Sequence, residues 1–85
     1  MVSKNVVVEN GSGFHLRPAA ILCEVAQKYK CSIHFKIGEK EGNAKSVLSI
    51  LGTCVKDGNE VEFFCDGEDE QEALEEIIDT VKNKL

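Results

Sequence analysis

The chain has 85 residues, 42% hydrophobic and 29% charged, and a formal net charge of −5. A length of this order holds one domain, residues 1–85, with a modest core and no room for a deep substrate cavity beside a full catalytic apparatus. The acidic balance argues against nucleic acid as a partner, no apolar run is long enough to cross a membrane, and Met1-Val2-Ser3-Lys4 lacks the apolar stretch of a signal peptide, so a cytoplasmic protein is expected.

Valine-rich Val2 to Val8 reads as a strand, closed by the turn cluster Glu9-Asn10-Gly11-Ser12-Gly13. Pro18 suits the first turn of a helix, where its missing N–H costs nothing, so a helix is expected from about Leu16 to Tyr29 with His15 at its entrance. Ala19, Leu22, Cys23 and Ala26 would form its inner face. Ser32 to Ile37 alternates as a half-buried strand, with Ile33, Phe35 and Ile37 inward and Ser32, His34 and Lys36 outward. A turn at Gly38 to Glu41 leads into a short, poorly specified strand around Lys40 to Asn43.

Ser46 precedes Val47-Leu48-Ser49-Ile50-Leu51 and Gly52 follows, which predicts a short helix with a serine N-cap and a glycine terminator. After the turn Asp57-Gly58-Asn59, Glu60 to Cys65 reads as a strand with Val61, Phe63 and Cys65 on one face and Phe64 on the other. Asp69 and Glu72 have the spacing of a capping box, and Ala73, Leu74, Ile77, Ile78, Val81 and Leu85 make the apolar stripe of a last helix. The order β-α-β-β-α-β-α predicts an α+β domain, one largely antiparallel sheet with helices on one face. Cys23, Cys31, Cys54 and Cys65 show no metal-ligand spacing and are expected to be reduced, apolar fillers.

Chemistry concentrates in Gly13-Phe14-His15-Leu16-Arg17-Pro18-Ala19-Ala20. An imidazole at a helix N-terminus stands where unpaired N–H groups and the dipole favour an anion, and Arg17 adds a permanent planar cation. A neutral ring nitrogen offers a lone pair, and phosphoryl transfer asks mainly for positioning and charge stabilisation. From the residues alone, a histidine at a helix start is also a common cap or surface residue. Ser46 is equally explained as an N-cap, Val47, Leu48 and Leu51 as core, and Lys45 and His34 as solvated surface.

Gly13-Phe14-His15-Leu16-Arg17-Pro18-Ala19 resembles the G-[LI]-H-x-R-P-A signature of HPr, the histidine-containing phosphocarrier of the bacterial phosphotransferase system. Asn43-Ala44-Lys45-Ser46-Val47-Leu48 is similar to the second motif of that family, around a regulatory serine. Gly67-Glu68-Asp69-Glu70 with Ala73-Leu74 resembles its last strand-to-helix junction, and the likeness runs in register over nearly the whole chain. Phe14 stands where the family usually has Leu or Ile, Leu16 where a smaller residue is common, and Gly52-Thr53-Cys54 where the family's glycine falls two places later. The differences at 14 and 16 are expected to alter partner preference.

The resemblance implies an open-faced β-sandwich, a four-stranded antiparallel sheet covered on one face by three helices. It implies that His15 accepts a phosphoryl group on its pros nitrogen from phosphorylated enzyme I and donates it to IIA domains of sugar permeases, while Arg17 binds the phosphate oxygens. The same likeness makes Ser46 a target of HPr kinase/phosphorylase and a link to a catabolite-control transcription regulator. Leu16, Ala20, Val47, Leu48 and Leu51 would form the partner-binding face. Such a protein is a stoichiometric carrier rather than an enzyme, needs no cofactor or metal of its own, and is expected to be a monomer.

Overall fold

The computed structural model describes residues 1–85 and contains β1 (Val2–Val7), α1 (Leu16–Gln27), β2 (Ser32–Ile37), β3 (Lys40–Asn43), α2 (Val47–Gly52), β4 (Glu60–Asp66) and α3 (Glu70–Asn83). The four strands form one antiparallel sheet in the order β1-β4-β2-β3, with three helices, as expected for the open-faced sandwich. Register follows from period-two alternation: Val61, Phe63 and Cys65 of β4 are buried, and they pair with Val6, Phe35 and Ile33 among others. A one-residue slip would turn this whole set to solvent.

Phe14, Phe35 and Phe63 run through the core, with ring centroids 5.7 Å apart for the edge-on Phe14–Phe35 pair and 5.4 Å for Phe35–Phe63. Helix α1 lays Pro18, Ala19, Leu22 and Ala26 on this core, and α3 lays Ala73, Leu74, Ile77, Ile78 and Val81 there. The weak sequence signal of β3 has a packing explanation. A Cβ on Gly42 would lie 2.4 Å from Cζ of the buried Phe35, so glycine is the residue that lets this edge strand close over the ring.

Several expected details differ. Helix α1 ends at Gln27 rather than Tyr29, because Lys28 and Tyr29 donate their amides to Val25 and Ala26 in a tightened last turn. No capping box forms at Asp69 and Glu72. Asp69 spends its carboxylate on the Lys30 and Cys31 amides, at 2.9 and 3.0 Å, and Glu70 instead accepts from Gly67 N–H. The Lys30 amide, followed by the contacts at Cys31, holds the Asp69 carboxyl below the usual carboxylate range. Gly52 lies within α2, and the left-handed residue after it is Cys54, with φ of 55°. Of the four cysteines, Cys31 and Cys65 are buried, Cys23 is half-buried and Cys54 is exposed, so Cys54 is not a core filler. Burial pushes the Cys65 thiol up to about 12, which suits an inert packing residue.

The two long helices are tied where α1 ends. Tyr29 donates its hydroxyl to Glu76, which also pairs with the Lys28 ammonium. The hydrogen bond to Glu76, followed by burial, raises the Tyr29 phenol from 10.0 to about 12. The Lys28 ammonium, followed by the Tyr29 hydroxyl, holds Glu76 below its ordinary value of 4.5. Because the Glu76 value is depressed by folding, its contribution is present above pH 4.5 and fades as acid protonates the folded carboxylate. The Tyr29 value is raised, so its contribution is complete below pH 10.0 and is lost as pH climbs through about 12. Glu76→Gln is expected to lower the melting temperature at pH 7 by roughly 4–8 °C, the equivalent of a kcal/mol. Thermal melts across pH should show that gap closing in acid, and a gap independent of pH would contradict the assignment.

Candidate functional site

The segment ahead of α1 is folded by side-chain hydrogen bonds. Asn10 accepts from the amides of Ser12 and Gly13 at 3.1 and 2.7 Å and donates to the Gly13 carbonyl at 2.8 Å. Asp57 takes the Gly11 amide at 2.9 Å, and the Phe14 amide donates to the Val55 carbonyl at 2.9 Å. Gly13 has φ of +74°, and a Cβ there would lie 2.3 Å from the Val55 carbonyl oxygen. The chain thus crosses the loop before β4 in contact with its backbone, and Phe14 drops into the core.

His15 is the next residue and is exposed. It is the N-cap of α1, in extended backbone at φ −80° and ψ −176°, and its side chain makes no capping bond. Its carbonyl accepts from the Ala19 amide at 2.9 Å. Helix geometry leaves the Leu16 and Arg17 amides without an intrahelical acceptor, Pro18 has none to offer, and no acidic residue occupies the first turn. The imidazole, the Arg17 side chain and the positive end of α1 therefore share one solvent-facing spot with no carboxylate in that turn.

A shallow depression beside the helix start is lined by Ser12, His15, Arg17, Pro18 and Ile21, and on its far wall by Lys84 and Leu85. His15 and Arg17 are thus brought together. Ser12, Ile21 and Lys84 were not singled out from the sequence, since no local spacing connects residue 84 with residue 15. Asn10 was read only as part of a turn cluster, and its bonds to residues 12 and 13 emerge from the structure.

Ser46, Val47, Leu48 and Leu51 belong to α2, which packs along α1 and is not part of the depression. Ser46 caps α2 as expected, accepting the Ser49 amide at 3.2 Å, and Ser49 in turn accepts the Asn43 amide at 2.8 Å. Leu16 and Leu48 are largely exposed, at 67% and 82%, Ala20 is exposed, and Val47 and Leu51 are half-buried. Phe14, by contrast, is only 4% exposed, so it cannot touch a partner and its departure from the family pattern is a matter of packing against Phe35. Lys45 is neither freely solvated nor turned to the depression. Its ammonium donates to the Tyr29 carbonyl at 2.6 Å, while its own carbonyl accepts from Gln27. His34 is half-buried on the open face of the sheet, opposite Phe64.

This is a small open-faced sandwich that carries an exposed histidine and arginine at a helix start. Residues 2–83 match the family model described as "PTS HPr component phosphorylation site". The chain is 31% identical over 81 residues to the phosphocarrier protein HPr of Mycoplasma capricolum subsp. capricolum, covering 95% of this chain and 91% of that protein. It is 34% identical over 85 residues to the HPr-like protein Crh of Bacillus subtilis, covering 100% of each. The crystal structure of an HPr from Thermoanaerobacter tengcongensis superimposes with a TM-score of 0.95 at 33% identity, covering 99% of this chain and 94% of that one. The chain belongs to the HPr family of the phosphotransferase system.

Gly13→Ala combines a left-handed backbone with a collision against a main-chain oxygen, and is expected to cost roughly 2–4 kcal/mol. Gly11→Ala has positive φ but open space around its Cβ, and should cost about 1 kcal/mol. Urea unfolding of the two variants checks the order; equal losses would mean that the close approach to Val55 carries no weight.

Proposed function

We propose that this chain, acting as one domain, carries a phosphoryl group on His15 from phosphorylated enzyme I to the IIA domains of sugar permeases. The observation that supports it most is the N-cap geometry of His15: an exposed imidazole, uncommitted to capping, beside Arg17 and two free helix-start amides. A lone pair on the ring attacks phosphorus, an N–P bond forms, and the bond from phosphorus to the donor breaks. Arg17 and the Leu16 and Arg17 amides balance charge on the phosphoryl oxygens through both states. In this reading the protein is a stoichiometric intermediate, since it holds the group covalently between donor and acceptor and is regenerated only when the group is passed on.

Leu16, Ala20, Leu48 and the partly exposed Val47 and Leu51 are the apolar surface for both partners in turn. Ser46 is the regulatory position. A phosphate there would be favoured locally at the start of α2, yet would oppose a partner that brings its own phosphate. Retention of His15 supports the carrier over a purely regulatory role of the Crh kind, since control through Ser46 alone does not call for a histidine.

Incubation with a matched enzyme I, Mg2+ and phosphoenolpyruvate should add one acid-labile phosphate by intact mass to the parent and none to His15→Ala. Phosphate retained by His15→Ala, or none on the parent, would refute this reading. In the same assay, Leu48→Lys and Ser46→Asp should each slow uptake at least about tenfold, as expected for a lost contact or an added repulsion at a docking face. Aspartate keeps the N-cap of α2, so a slow Ser46→Asp reports charge and not unfolding. Uptake at the parental rate by both variants would remove α2 from the docking surface.

A further inference from the structure

The depression beside His15 has a second wall that the known helix-start chemistry does not use. It comes from the end of α3, where Lys84 and Leu85 line the depression together with Ser12, His15 and Arg17. We propose that Lys84 is a second cation for the phosphoryl group on His15, forming with Arg17 a two-sided clamp; this rests on the carrier reading above.

The charge balance supports it. A phosphoryl group brings up to about two negative charges, and Arg17 neutralises one. The protein already carries a net charge of −5, so a further anion is disfavoured by the field of the whole chain. Helix α3 also ends at this depression, and its last carbonyls carry partial negative charge toward the bound anion. A lysine at that end offsets the carbonyls and meets the phosphate.

Lys84 is free to act in this way. Its amide caps α3 by donating to the Thr80 carbonyl at 2.9 Å, which anchors the backbone. Its ammonium lies 3.7 Å from the Asp79 carboxylate, with both side chains at least half exposed, and its charge also reaches Glu76. Asp79 already accepts from the Asn83 amide at 2.7 Å through its other oxygen. A long, solvated ion pair of this kind is readily exchanged for a dianion, and the flexible lysine stem lets Nζ swing toward it.

The test is the phosphoryl equilibrium with enzyme I, read by intact mass at a set ratio of phosphoenolpyruvate to pyruvate, for the parent, Lys84→Gln, Lys84→Glu and Lys84→Arg. Lys84→Gln should lower the equilibrium constant about two- to fivefold, Lys84→Glu further, and added salt should shrink both effects. Lys84→Arg should hold the parental value. A structural role in closing α3 would not separate glutamine from arginine, so an equal fall in all three variants would overturn the clamp. So would parental equilibria in Lys84→Gln and Lys84→Glu. A parent that takes up no phosphate would sink the carrier reading itself, whereas a phosphorylated parent with indifferent Lys84 variants would sink the clamp alone.

Discussion

The burial of Phe14 is the constraint on which the site depends. Its ring is held edge-on against Phe35, and Phe35 packs in turn at a tilt against Phe63. With residue 14 committed to the core and its amide bonded to Val55, the next residue has nowhere to go but outward. Gly13 permits the approach, Asn10 and Asp57 hold the loop that makes it, and Pro18 starts the helix that follows. An exposed histidine on a surface loop would sample many orientations. Here a rigid aromatic foundation and a helix start hold its backbone, which is the preorganisation that group transfer needs.

The acidic composition is accommodated by putting carboxylates to work away from that spot. Asp69 closes the end of α1 by taking the Lys30 and Cys31 amides, Glu76 binds Lys28 and Tyr29, and Glu70 holds Gly67. All three are on or beside the first half of α3. The opposite end of that helix carries Lys82 and Lys84, so the negative charge is concentrated at one pole of α3 and the cations lie at the other. The helix dipole favours both placements, and the same gradient leaves Arg17 and Lys84, with no Asp or Glu side chain, among the residues lining the His15 depression.

Leu16 and Leu48, the most exposed leucines, come from different helices, and each lies next to a residue with polar chemistry, His15 in one case and the Ser46 cap region in the other. A protein whose core must be built from so few residues would gain from burying both. Their exposure is a cost in stability, and it accords with the docking role proposed for this surface.

Element types and order were legible in the sequence because each element carries its own period: alternate residues in β2 and β4, and every third or fourth in α1 and α3. The His15 motif was legible for a similar reason, since imidazole, guanidinium and proline fall within one turn of helix. Details that were misread depend on contacts between distant segments. Asp69 looked like a capping residue but is bonded to amides almost forty positions away in sequence, the change to Phe14 was expected to alter partner preference but the ring fills the space beside Phe35, and Gly52 looked like a terminator where Cys54 takes the turn. What the sequence determined by itself was the fold class, through local periodicity, and the place of the candidate histidine at a helix start, through Pro18 and Arg17 beside it. Only the tertiary structure decided which leucines stay exposed and that Lys84 and His15 line one depression, because those depend on how α2 and α3 pack against α1, and no local pattern encodes that packing.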